Sequence, residues 1–208
     1  MFYFIKTPYW LQKLYPGRIW KMPSVEKKLY LSFDDGPEPE VTSFVLDQLS
    51  LFNAKATFFC IGKNVENNPA IYKRILDDGH AVGNHTYDHL NGFKTKNDHY
   101  LNNVLTAKRS VASSLFRPPY GRMRGSQHKQ LKQHGFETVM WSVLSGDFDN
   151  GIDEEKCYRN VVEHAKNGDI IVFHDSLKAR SKVSYALPLV LKFFSENGYV
   201  FEKIERKN

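Results

Sequence analysis

The sequence lacks most of the features that mark secreted scaffolds and membrane proteins. Cys60 and Cys157 are too few for a disulfide framework in 208 residues. No stretch approaches 18 consecutive apolar residues, so no transmembrane helix is expected. The apolar start over residues 2–5 has no basic residues before it and is too short for a signal peptide. These absences favour a cytoplasmic protein of the bacterial type, and they leave peripheral contact with a membrane or cell envelope open.

Positive charge is concentrated near the N-terminus. The net charge is +6, and residues 1–28 carry six lysines or arginines against the single acid Glu26, interleaved with aromatic residues. Such a segment can contact anionic lipid or nucleic acid, or it can lay its aromatic rings on the domain and leave its lysines in water. The near-neutral remainder argues against a nucleic-acid-binding protein. We therefore expect a basic aromatic extension over residues 1–27, for which weak membrane contact stays open, and one domain over residues 28–208.

Short apolar runs alternate with helical patterns along the chain. Strands are predicted at residues 29–33, 56–61, 81–83, 139–143, 170–173 and 199–201, with amphipathic helices between them. Short apolar strands separated by helices indicate parallel β/α units. About seven such units in a chain of this length predict a single α/β domain, a distorted (β/α) barrel of about seven parallel strands. Catalytic residues of such barrels gather at the carboxyl ends of the strands.

Asp34 and Asp35 follow the first predicted strand directly, ahead of the turn Gly36-Pro37. Neighbouring carboxylates repel each other unless a positive group lies beside them, and a metal ion is the usual one. Because successive side chains on a strand point to opposite faces, one carboxylate can bind a metal while the other moves a proton. An ordinary surface turn fits these four residues equally well.

His85 and His89 follow the third strand and lie four residues apart. On one helical turn this spacing lets two imidazoles converge on a metal. Together with Asp35 they make a two-histidine, one-carboxylate set that leaves coordination positions open, as in catalytic sites. A surface pair or a local cap is the alternative.

Three further groups close predicted strands. Arg117 can hold Asp34 ionised, or it can form a surface ion pair. Tyr120, after two prolines, can offer its backbone N–H to an oxyanion, or lie in a merely stiff loop. His174 can be a core histidine, or Asp147 can hold it protonated as a general acid.

Taken together, the chain resembles the polysaccharide deacetylases, the NodB-homology domains of carbohydrate esterase family 4. Five motifs appear in the family order, from about residue 28 to residue 201. They are Ser32–Pro37, His85–His89, Arg117–Tyr120, Trp141–Phe148 and Val172–Asp175. Phe148 stands where the family commonly has Trp, and Leu144 where Asp is common; both substitutions bear on the pocket wall and therefore on substrate preference.

The resemblance implies a metal centre made of Asp35, His85 and His89. It implies one divalent ion, typically zinc, with cobalt or nickel as substitutes. The reaction implied is removal of N-acetyl, or else O-acetyl, groups from a carbohydrate, with an N-acetylglucosamine-containing glycan as the expected substrate.

The resemblance also implies a role for each remaining candidate. Asp34 would be the general base, oriented by Arg117, and the backbone N–H of Tyr120 would bind the oxyanion. His174, paired with Asp147, would be the general acid. Two alternatives from other classes stay open: a metal-dependent amidase or imidase of a small N-acyl or cyclic metabolite on the same fold, and a non-enzymatic binding module that uses the N-terminal segment.

Overall fold

The computed structural model describes residues 3–205, and the β/α alternation of the sequence forms one parallel sheet covered by helices. The strands are β1 Lys28–Asp34, β2 Ala56–Cys60, β3 Ala81–Asn84, β4 Leu115–Phe116, β5 Glu137–Thr138, β6 Val143–Leu144, β7 Ile170–His174 and β8 Val200–Phe201. The helices are α1 Tyr9–Leu14, α2 Pro39–Leu51, α3 Gly62–Asn67, α4 Pro69–Asp77, α5 Asn97–Ala107, α6 Gly125–Gln133, α7 Glu154–Val162 and α8 Arg180–Glu196.

The order of the strands is that of a curled sheet. It runs β5-β4-β3-β2-β1-β7-β6, and β8 pairs with the beginning of β1. The strand pairs along this path are parallel, so the carboxyl ends of the strands meet at one edge. The prediction of a distorted barrel with about seven parallel strands is confirmed.

Apolar strands in the centre of the sheet explain its core. All seven residues of β1 except Lys28 are buried, as are all five of β2. The core continues through the apolar faces of α2 and α8, where Leu46 and Leu187 are fully buried. Among residues 3–205, no helix combines the length and apolar character needed to cross a membrane.

The strand predicted over residues 139–143 is wrong. β5 ends at Thr138 and β6 begins at Val143, at opposite edges of the sheet. Between them the ladder changes partner: the Val139 N–H donates to Phe116, and the Met140 N–H donates to Ile19 of the N-terminal part of the chain. A run of apolar residues looks the same whether it continues one strand or crosses between two, so periodicity could not separate these cases.

Residues 3–22, called here the N-terminal segment, run along the gap between β5 and β6. The Thr7 N–H donates to the carbonyl of Ser142, and the Leu144 N–H donates to that of Ile5, which makes an antiparallel contact with β6. Ile19 pairs in parallel with Val139. The described part of the predicted extension is thus hydrogen-bonded to the sheet and its connections at residues 5–7 and again at residues 19–22.

Two lysines fix this segment to a buried acid. Lys6 forms an ion pair with Asp169, and Lys21 lies 3.6 Å from the same carboxylate. Asp169 is 1 % exposed and also accepts hydrogen bonds from the Ser142 hydroxyl and the Lys166 backbone N–H. A buried carboxylate needs a compensating positive charge. The contacts of Lys6 and Lys21 with Asp169 therefore attach the N-terminal segment to the sheet.

Candidate active site

Strand register brings the candidate residues to one edge of the sheet. Asp34 ends β1 and lies opposite His174, which ends β7. His85 follows β3, and Arg117 follows β4, whose last residue pairs with the last residue of β3. The predicted gathering of these residues at the carboxyl ends of the strands therefore has a direct cause in the parallel register.

Asp35, His85 and His89 form the candidate metal centre. Each offers a ligand atom, and these atoms all lie within 4.8 Å of one another. Nε2 of His89 is 3.1 Å from Oδ1 of Asp35, and Nε2 of His85 is 3.6 Å from the same oxygen. Oδ1 of Asp35 is buried and has no hydrogen-bond partner within residues 3–205. A buried carboxylate oxygen without a partner, facing two imidazole nitrogens, fits a divalent cation.

The orientation of His85 is fixed from behind. Its Nδ1 lies 2.8 Å from the carbonyl oxygen of Arg117, and because a carbonyl only accepts, Nδ1 carries the proton and Nε2 keeps its lone pair. Burial lowers the pKa of His85 to about 4, so the ring stays neutral at pH 7. Both effects make Nε2 a metal-ligating atom.

The chain at residues 85–89 is a loop, and the expected helical turn is absent there. Thr86 and His89 have φ values of 64° and 57°, which a right-handed helix cannot contain. The side chain of Asn84 accepts from the Thr86 N–H, and that of Asn103 on α5 accepts from the N–H groups of residues 87 and 88. The two imidazoles converge through this hydrogen-bonded loop, so the four-residue spacing predicted the pairing for the wrong reason.

The turn that carries Asp35 is held by Asp175. Its Oδ1 accepts from the Gly36 N–H at 3.0 Å, and its Oδ2 accepts from the Thr42 hydroxyl at 2.6 Å. A Cβ on Gly36 would lie 1.9 Å from that carboxylate, so only glycine fits. Asp175 was part of a motif but had no assigned role in the sequence; an acid next to a catalytic histidine was the only available signal.

Asp34 and Arg117 form a buried ion pair. Nη1 of Arg117 lies 2.6 Å from Oδ1 of Asp34 and 2.9 Å from the hydroxyl of Ser32. Nε and Nη2 donate to the carbonyls of Val139 and Met140 at 3.3 and 3.1 Å. The guanidinium is fully buried, so its donors have fixed directions and its positive charge lies directly against the Asp34 carboxylate. Arg117 therefore does not form the surface ion pair that the sequence had left open.

His174 is paired with Asp147 on the other side of the same edge. Nδ1 of His174 is 2.7 Å from Oδ1 of Asp147, whose Oδ2 accepts from the His174 backbone N–H. Burial alone would lower the pKa of His174, but the charge and hydrogen bond of Asp147, with Asp35 and Asp34 nearby, raise it to about 10. His174 is therefore protonated at pH 7, with Nε2–H free to donate. The ring of Phe148 lies edge-on against it at 5.4 Å.

Tyr120 lies in the 3₁₀ turn Pro119–Gly121 with a φ of 60°. Its ring is half exposed, and the centroid is 4.7 Å from that of His89. The turn therefore brings the backbone at residue 120 beside the candidate metal centre, and the oxyanion role of its N–H stays a prediction.

Comparison with known proteins agrees with this geometry. The family model described as polysaccharide deacetylase matches residues 21–139. A peptidoglycan-N-acetylglucosamine deacetylase of Bacillus cereus is 38% identical over 190 residues, which is 88% of either chain. The peptidoglycan-N-acetylmuramic acid deacetylase PdaA of Bacillus subtilis is 30% identical over 86% of this chain and 71% of its own.

A solved structure extends the similarity to the whole fold. The crystal structure of the Bc1960 peptidoglycan N-acetylglucosamine deacetylase in complex with 4-naphthalen-1-yl-N-oxidanyl-benzamide superimposes with a TM-score of 0.86, 32% identity and 95% coverage of both chains. The chain belongs to the polysaccharide deacetylase family and is a carbohydrate deacetylase.

Proposed function

We propose that the chain is a metal-dependent deacetylase that removes N-acetyl groups from N-acetylglucosamine units of a peptidoglycan-type glycan. The observation that carries this proposal is the convergence of three groups at one edge: the cluster Asp35, His85 and His89, with an anionic carboxylate on one side and a protonated imidazole on the other. The relatives support the choice of glycan, because they are named for peptidoglycan deacetylation.

The donors favour zinc as the resident ion, with cobalt or nickel as substitutes. Two imidazole nitrogens and one carboxylate oxygen are a common catalytic zinc set, which leaves room for water and substrate. When bound, the ion would supply Lewis-acid polarisation of the acetamide carbonyl and would lower the pKa of a water molecule.

The flanking residues divide the proton transfers. Asp34, held ionised by Arg117, accepts a proton from the attacking water. His174 donates from Nε2 to the departing amine, because its Nδ1 is engaged by Asp147. The N–H of Tyr120 stabilises the negative charge that develops on the attacked carbonyl oxygen. The products are acetate and a free amino sugar.

The test combines metal analysis with acetate release. Purified protein is stripped with a chelator, reloaded separately with zinc, cobalt or nickel, and assayed on N-acetylglucosamine oligomers, peptidoglycan fragments, O-acetylated xylan and small N-acyl or cyclic imide compounds. We expect metal-dependent acetate release from the N-acetylated glycans. Turnover confined to the small compounds would instead indicate an amidase or imidase on this fold, and full activity without metal would contradict the metal centre.

A further inference from the structure

A cavity of about 260 Å³ lies between the N-terminal segment and the loops of the active site. We call it the N-terminal cavity. Its walls come from two parts of the chain. The N-terminal segment provides Tyr3, Tyr15 and Arg18 among others, and the rest of the domain provides Tyr120, Arg122 and Trp141 among others.

The N-terminal cavity adjoins the catalytic centre. Tyr120 lines it and places its ring 4.7 Å from that of the metal-ligand candidate His89. Tyr3 also lines it and lies 5.3 Å from Phe148, whose ring contacts His174. A substrate with its acetyl group between His89 and His174 therefore has this cavity beside it.

The walls combine aromatic rings with positive charge. They contain two arginines and no acidic residue. Arg18 is half-buried, with its guanidinium carbon 4.4 Å above the ring of Tyr15, and neither Arg18 nor Arg122 forms an ion pair within residues 3–205. A half-buried arginine without a counter-charge is suited to a carboxylate, which it can bind with two parallel hydrogen bonds.

From these contacts we infer that the N-terminal cavity binds a carboxylate-bearing sugar unit next to the unit that is deacetylated. The inference rests on the proposed function. The aromatic walls accept the apolar faces of the sugar ring, and Arg18, with Arg122 at the rim, binds the acidic substituent. In a peptidoglycan-type glycan, muramic acid alternates with glucosamine, and its lactyl group carries a free carboxylate wherever the stem peptide has been removed. The N-terminal segment then determines specificity besides closing the sheet.

The experiment compares an acidic with a neutral oligomer. The substrates are a tetrasaccharide of alternating N-acetylglucosamine and N-acetylmuramic acid, and the N-acetylglucosamine tetramer. We expect Arg18→Gln to lower the acidic-to-neutral ratio of kcat/KM about tenfold, the size of one hydrogen bond to a charged group. Arg18→Lys should restore part of the ratio. Lys13→Gln is the matched control, because it removes one positive charge from the same segment at an exposed residue outside the cavity.

A binding measurement separates this inference from catalysis. In an Asp34→Asn background, calorimetric titration with the acidic tetrasaccharide should show a higher Kd when Arg18→Gln is added and no change with Lys13→Gln. Deacetylation of both oligomers with a ratio that Arg18→Gln leaves unchanged would overturn the inference and leave the proposed function standing. Release of acetate from neither oligomer by the wild type would overturn the proposed function itself.

Membrane contact is the competing role for these residues. Equal loss of the ratio in Lys13→Gln would show that the charge of the segment attracts acidic glycans without a specific site, and would overturn the inference. Loss of sedimentation with phosphatidylglycerol vesicles in Arg18→Gln, without a change in ratio, would assign the positive charge to a lipid surface and would also overturn it.

Discussion

The catalytic edge of the sheet and the N-terminal segment are built in opposite ways. At the catalytic edge, Arg117 and Asp147 are fully buried, and their polar groups are hydrogen-bonded. The N-terminal segment hydrogen-bonds its backbone and two lysines to the sheet, yet Tyr9, Trp10 and Leu14 are 70%, 58% and 63% exposed. A catalytic site requires side chains held in fixed orientations. Residues 3–22 only close the gap in the sheet, and this constrains only the side of the segment that faces the sheet. Its outer side carries no such constraint.

Substituting Asp34 and Asp35 one at a time is the strongest test of the catalytic edge. We expect Asp34→Asn to keep the metal and to lower kcat/KM about 10²–10⁴-fold, the usual contribution of a general base. Asp35→Asn should weaken metal binding as well, because it replaces the proposed carboxylate ligand with a neutral amide. Metal content per protein and acetate release are measured together, with Asp77→Asn on the exposed side of α4 as the control. Equal metal loss in both active-site variants would contradict the division of roles.

Breaking the buried ion pair tests how much rigidity the catalytic edge needs. Arg117→Met leaves the Asp34 carboxylate buried without its partner, and we expect the free energy of unfolding to fall by about 3–5 kcal/mol. The exposed pair Arg159 and Glu163 provides the control, since solvent screens this pair and Arg159→Met should change the free energy of unfolding far less. Urea unfolding measures both. Similar losses in the two variants would mean that the buried Arg117 ion pair stabilises the fold no more than an exposed ion pair does.

The pairing of His174 with Asp147 predicts a pH dependence. The pKa of His174 is raised from its ordinary 6.5 to about 10, so the folded state binds this proton more tightly than the unfolded state. The resulting stabilisation is complete below about pH 6.5 and is lost as the pH rises through about 10. Asp147→Asn removes the principal group that raises this pKa, so the loss should begin at lower pH. Urea unfolding from pH 6 to 10.5 measures the shift, and identical profiles would contradict it.

Releasing the N-terminal segment should have the smallest effect. Asp169→Asn weakens the attraction for Lys6 and Lys21, and we expect a loss of about 1–3 kcal/mol in the free energy of unfolding. The amide hydrogens of Thr7 and Leu144, which pair the segment with β6, should exchange faster, while those of β1 and β2 stay protected. Hydrogen-exchange mass spectrometry measures this difference. Unchanged exchange at Thr7 would show that backbone pairing alone holds the segment.

The sequence predicted the catalytic edge better than the N-terminal segment for a physical reason. Apolar strands followed by polar residues mark the carboxyl ends of parallel strands wherever those strands lie in the sheet. The pairing of Asp34 with Arg117 and of His174 with Asp147 follows from this rule and from charge. By contrast, the antiparallel contact of Ile5 with Leu144 depends on a gap that exists only once the sheet has curled.

Features set by tertiary hydrogen bonds were also beyond the sequence. The left-handed conformation of Thr86 depends on side chains that accept its neighbours' N–H groups, among them Asn103, which lies on a different element. Likewise, the role of Asp175 appears only when Gly36 and Thr42 donate to it. The spacing of residues along the chain does not predict such tertiary hydrogen bonds.

Arg117 has one further consequence, because its two functions use different parts of the residue. Its side chain orients Asp34, while its carbonyl oxygen orients His85. Every amino acid has a carbonyl oxygen, so replacing this arginine can remove the base's partner and still leave the imidazole correctly presented. A substitution at position 117 is therefore expected to lower turnover more than it lowers affinity for the proposed metal ion, even though it also destabilises the fold.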